Sequence, residues 1–179
     1  MTEVGGVYGQ ALYGLAREEK LDKAILQELT ALNTAFQQEP DFLRLLSSPN
    51  LSKQERCALV DNSFRGSVQP YVLNFMKILT ERGYAKQFPN CVEAYREQYN
   101  QDNGILPVQA VTALPLTEAQ TEKLKEKLAS ITGKTIELTN RVEQGCLGGV
   151  RLSYDGKCVD DTIAHRLDNI RSLLKNTVL

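Results

Sequence analysis

The stretch Val142-Glu-Gln-Gly-Cys-Leu-Gly-Gly-Val-Arg-Leu-Ser-Tyr-Asp-Gly156 decides how the second half of this chain folds. Its adjacent glycines, Gly148 and Gly149, open an alternating segment. Val150, Leu152 and Tyr154 point one way, Arg151 and Ser153 the other, the period of a strand. Asp155-Gly156 predicts a two-residue hairpin turn, since a type I′ turn needs positive φ at both central positions. Lys157–Asp160 then returns as a second strand, with Cys158 opposite Ser153. Asp160, Asp161 and Thr162 supply N-terminal capping groups for a closing helix with apolar positions Ile163, Leu167, Ile170 and Leu174.

Upstream, Ile105–Ala113 reads as a strand, with Pro107 consistent with an edge position. Thr117 and Gln120 form a capping box that opens a helix carrying Leu124, Leu128 and Ile131, closed by Gly133. Thr135–Val142 follows as a strand. Before residue 101 the pattern is helical. Val4–Glu19 is a first helix. Leu21, Ile25, Leu29, Leu32 and Phe36 make the apolar stripe of a second. A third starts at Pro40. A fourth is capped by Ser52 and Glu55. A fifth covers Tyr71–Arg82 with Gly83 beyond it. A sixth covers Lys86–Asn100, with Pro89 tolerable in its first turn. The expected architecture is α+β in two domains: a six-helix bundle over residues 1–104 and a small α/β domain with a β-hairpin and terminal helix over 105–179.

Composition narrows the function classes. The 179 residues are 42% hydrophobic with a net charge of −1, so no basic stripe invites nucleic acid. No apolar run approaches the roughly 20 residues of a membrane span, and the N-terminus lacks the pattern of a signal or transit peptide. The four cysteines are scattered without a C-x-x-C pair, which predicts no metal, no disulfide and mostly buried thiols.

Catalytic chemistry finds little support. Gly133-Lys134-Thr135 imitates the tail of a phosphate-binding loop, but Leu128 stands where that loop needs glycine, and the triplet leaves a helix for a strand. Gly145 and Gly148-Gly149 also enter a strand, so a bend or close backbone contact explains them better than an anion site. His165 has Asp161 and Asp168 nearby in helical spacing, without a nucleophile. Neither enzyme nor cofactor is expected. The wider apolar arcs are more informative. On the fifth helix Val72, Phe75, Met76 and Leu79 form one stripe, and Tyr71, Asn74 and Ile78 an adjacent one. On the first, Tyr8, Ala11, Leu12 and Leu15 border Gly5, Gly9 and Gly14. Such arcs mean either deep burial or a docking face.

Val142-Glu143, Gly148-Gly149-Val150, Asp155-Gly156 and Asp160-x-Thr162 together resemble the C-terminal signature of the F-type ATP synthase delta family, the bacterial counterpart of the mitochondrial oligomycin-sensitivity-conferring protein. Cys146 replaces the aliphatic residue usual two positions before the glycine pair. Tyr8–Ala16, Asp41–Leu46 and Asn74–Gly83 resemble the family's first, third and fifth helices. The resemblance implies a non-catalytic stator subunit at the cytoplasmic face of the bacterial cell membrane, peripheral and attached only through the complex. It implies that helices one and five receive an alpha-subunit N-terminal helix, with Tyr8, Ala11, Leu12, Leu15, Asn74 and Ile78 as candidate contacts. The C-terminal domain would hold the C-terminal region of the b subunits. The alternatives are a free-standing helical adaptor and a small nucleotide-binding enzyme.

Overall fold

A computed structural model describes residues 3–48, 50–163 and 165. The expected closing helix, with Leu167, Asp168, Ile170 and Leu174, lies outside them apart from its first residues. The fold is α+β, and the chain divides into two compact units, Met1–Tyr99 and Asn100–Leu179.

The first unit contains α1 (Glu3–Glu18), α2 (Asp22–Gln38), α3 (Pro40–Leu46), α4 (Lys53–Phe64), α5 (Pro70–Glu81) and most of α6 (Phe88–Asp102), with a 3-10 turn at Ala85–Gln87. Local signals set these bounds. Proline opens α3 and α5, where its missing N–H costs nothing. Ser52 and Glu55 form the reciprocal capping box of α4. One core unites the helices: Leu12, Ile25, Leu29, Phe36, Val60, Val72, Phe75, Leu79, Phe88, Val92 and Tyr95 are all buried. Phe36 organises its aromatic part, stacked on Phe42 at 5.6 Å and edge-on to Phe88 at 5.1 Å. Tyr95 reaches out of the core to donate a 2.8 Å hydrogen bond to the Asp22 carbonyl. Gly9 lets α6 approach α1: a Cβ there would stand 2.4 Å from the Cys91 carbonyl oxygen. Gly14, expected to allow a similar approach, faces open space within the chain.

The second unit is a four-stranded sheet, β1 (Ile105–Thr112), β2 (Thr135–Val142), β3 (Val150–Tyr154) and β4 (Lys157–Asp160), in the order β2-β1-β3-β4. β1 is parallel to β2 and antiparallel to β3, and α7 (Glu118–Thr132) connects the parallel pair. The capping box at Thr117 and Gln120 and the left-handed Gly133 bound α7 as expected. The hairpin register pairs Ser153 with Cys158, and Asp155 and Gly156 both have positive φ.

Three expectations need correction. β1 is an internal strand; Pro107 is accommodated because β3 pairs only with Gln109–Thr112, leaving that side of Pro107 without a ladder to break. Ile131 is 80% exposed, because Leu128 and Ala129 take the positions facing Leu106, Val108 and Ile136. The thiols are free and less uniformly buried than expected: Cys91 and Cys146 are buried, Cys57 is half-buried and Cys158, on β4, is exposed.

Candidate functional site

α1 and α5 each present two faces. On α5, Val72, Phe75, Met76 and Leu79 are buried in the core, while Asn74 and Ile78, the latter 46% exposed, lie on the opposite face. Tyr71 is half-buried against the core. On α1, Leu12, Tyr13 and Ala16 point inward. Ala11 is exposed, Leu15 is 41% exposed and Tyr8 is half-buried. Of the candidate contacts, Tyr8, Ala11, Leu15, Asn74 and Ile78 therefore remain accessible, and Leu12 belongs to the core. Leu12 and Leu15 are three residues apart, about 60° around a helix, which places Leu12 in the core and Leu15 at its solvent margin.

Two accessible residues escaped the sequence reading of the site. Val7 is 62% exposed one helical turn before Ala11, so an i, i+4 search would have found it. Tyr84 follows α5, and its ring centroid lies 6.0 Å from that of Tyr8 at an interplanar angle of 59°. No helical period predicts that contact, since Tyr84 lies beyond the helix end.

The residues singled out for possible chemistry have structural roles. Gly133 is the left-handed C-cap of α7, leading into β2. Gly149, at φ +81°, lets the chain after β4 cross over it: a Cβ would meet the Asp161 carbonyl oxygen at 2.3 Å. The crossing is tied by the Asp161 N–H to the Val150 carbonyl at 3.1 Å and the Ile163 N–H to the Gly148 carbonyl at 3.0 Å. Asp160 accepts hydrogen bonds from the Thr162 hydroxyl at 2.7 Å and the Thr162 N–H at 3.0 Å. Those bonds hold its carboxyl below the ordinary value. Thr162 in turn accepts from the His165 N–H. Arg151 joins Glu143 at 2.8 Å and faces Asp160 at 4.0 Å. The family-like motif is therefore a strand-crossing lock.

A charged cleft on α4 and α5 is lined by Lys53, Cys57, Asp61, Lys77 and Glu81. Its Lys77 pairs with Asp61. Burial, then the Glu81 carboxylate, pushes the Cys57 thiol up, against nucleophilic use. Among the described residues, no group of three or more His, Cys, Asp or Glu side chains could hold a metal ion, and no helix is long and apolar enough to cross a membrane. In the second unit, Leu114, Val142, Leu147 and Ile163 are exposed. All four lie just beyond or at the sheet end marked by the Thr112–Val142 and Thr112–Val150 pairs.

The family model for the ATP synthase delta (OSCP) subunit matches residues 4–174. The ATP synthase subunit delta of Alkaliphilus oremlandii (strain OhILAs) is 30% identical over 172 residues, 96% of each chain. That of Clostridioides difficile (strain 630) is 28% identical over 172 residues, 96% of this chain and 95% of its own. A chain in the Toxoplasma gondii mitochondrial ATP synthase hexamer shares the fold, with a TM-score of 0.76 at 19% identity over 97% of this chain and 98% of that one. With a family match over nearly its whole length, the chain belongs to the ATP synthase delta (OSCP) subunit family, the non-catalytic peripheral-stalk subunits of F-type ATP synthases.

Proposed function

We propose that α1–α6 act as one bundle whose α1 and α5 receive the amphipathic N-terminal helix of an alpha subunit, and that the second unit holds the C-terminal region of the b subunits. The protein then links the catalytic head to membrane-anchored b subunits at the cytoplasmic face of the bacterial cell membrane, touching the membrane only through the complex. A stator does no chemistry. It resists the torque that would otherwise turn the head with the rotor, so it needs slowly dissociating contacts.

One observation carries the reading. Leu15 and Ile78 stay exposed on helices whose opposite faces already fill a complete core. A helix laid along Tyr8, Ala11, Leu15, Asn74 and Ile78 would remove that apolar surface from water at about 25 cal/mol per Å². The apolar end of the sheet, with Leu114, Val142, Leu147 and Ile163, supports a second docking surface in the α/β unit.

The test is calorimetric titration of the full chain with a peptide of about 20 residues from the host's alpha-subunit N-terminus, long enough for a stable amphipathic turn sequence. One-to-one binding is expected, weakened at least about thirtyfold by Ile78→Asp, which buries an unpaired carboxylate, with native far-UV circular dichroism. Unchanged binding by Ile78→Asp would move the contact away from this face.

A further inference from the structure

We infer that Tyr84 is a recognition residue for the docked helix, forming with Tyr8 an aromatic wall at one end of the α1–α5 face. The inference rests on the groove reading above and extends it to a residue outside both helices.

The backbone holds Tyr84 in place. Gly83, at φ +76°, ends α5 in a Schellman motif. The Gly83 N–H donates to the Thr80 carbonyl at 3.1 Å, and the Tyr84 N–H donates to the Leu79 carbonyl at 2.7 Å. On the other side, the Gln87 N–H donates to the Tyr84 carbonyl at 2.8 Å. The side chain is oriented by its tilted contact with the Tyr8 ring. Yet Tyr84 is 38% exposed. A ring whose backbone is fixed on both sides, packed on the Tyr8 ring and still partly open to solvent, loses little conformational freedom when something covers it. That is why tyrosine recurs among the anchors of interfaces. Tyr8, half-buried, shares the same contact, so the two rings join the α1 face to the end of α5. The partner that fits is an amphipathic helix whose apolar side chains cover Leu15 and Ile78 and end against the ring pair.

The experiment uses the full chain and the same alpha-subunit peptide. Tyr84→Ala is expected to weaken binding about tenfold, and Tyr84→Phe to stay within about threefold of the native chain, since the ring face makes the contact. The chain contains no tryptophan, so Tyr84→Trp creates a single fluorescent reporter at the wall. Its emission is expected to shift to the blue as the peptide saturates. Native binding by Tyr84→Ala while Ile78→Asp fails to bind would overturn the role of Tyr84 and leave the groove standing. An unmoved Tyr84→Trp emission at saturating peptide would do the same, even if Tyr84→Ala proved unable to fold. Native binding by both Tyr84→Ala and Ile78→Asp would overturn the groove and this inference together.

Discussion

The helical unit and the α/β unit solve the same problem, a rigid body with apolar surface left over, by different means. In the helical unit, side chains do the holding. Ile25, Val60, Val72 and Tyr95 are completely buried, and every helix contributes to one core. Its exposed Leu15 and Ile78 are therefore surplus to folding. In the α/β unit, among the described residues, the core cluster is Leu106, Val108 and Ile136, with half-buried neighbours, and α7 has no fully buried residue. Backbone pairing through the central β1 and the crossing at Gly148-Gly149 carry more of the load. The difference teaches that exposed apolar residues have different standing in the two units. On α1 and α5 they lie outside a finished core; at the sheet end they border a sparse one.

Phe88→Ala should give the largest effect. The ring contacts Phe36 and Phe75 in the filled core, so its loss leaves a cavity that the packed helices cannot close. The expected destabilisation is about 3–5 kcal/mol. Calorimetric melts should show a lowered transition for the helical unit while amide exchange in β1 and β3 stays native. Equal loss of protection in the strands would break the comparison, because it would make the two units one cooperative body.

Gly149→Ala should do the reverse, at about 3 kcal/mol, combining left-handed strain with overlap on the Asp161 carbonyl. Protection should fall at Val150–Tyr154 and Lys157–Asp160, with that of α1, α2 and α5 unchanged. Affinity for the alpha-subunit peptide should also be unchanged, since the proposed contacts lie in the other unit. A loss of peptide binding would show that the helical face depends on the sheet.

Much of this contrast could be read from sequence, because the signals were local. The capping boxes at Ser52 and Thr117, the left-handed Gly133 and the Asp155-Gly156 turn each act over four residues or fewer, and the structure has them where expected. The glycine pair was readable as a close contact, which Gly149 makes with Asp161 and Thr162. What escaped was set by distant partners. The central position of β1 depends on β2 and β3, 30 or more residues away in register, so Pro107 suggests an edge. Hydrophobicity alone could not send Leu12 inward and Leu15 outward, or leave Ile131 bare at the end of α7. Tyr84 pairs with Tyr8 across most of the helical unit, a contact without any sequence period.

The smallest expected effect is acid dependence, and it sharpens the comparison because it can be removed from one unit alone. Asp160 is held below its ordinary value of 3.8 by the Thr162 hydroxyl and N–H, aided by the positive charges of His165 and Arg151. A carboxyl whose folded pKa lies below its unfolded one stabilises the fold fully above the unfolded value. That contribution is lost as pH falls through the folded value. The strand-crossing lock should therefore weaken progressively below about pH 4. Arg151 is shifted the opposite way, raised first by the hydrogen bond it donates to the Glu143 carboxylate, and stays charged throughout this range. The helical unit has acid-sensitive groups of its own in Asp61, lowered chiefly by Lys77, and Glu55, lowered by Ser52. Wild-type melts should thus fall with acid in both transitions. Asp160→Asn keeps an oxygen for the Thr162 bonds but cannot be protonated, so its α/β transition should start lower at pH 6 and then decline less steeply toward pH 3. Its helical transition should track the wild type. Equal slopes in the α/β transition of the two chains would mean that the crossing is held by Gly149 and its backbone bonds, with the Asp160 charge contributing nothing.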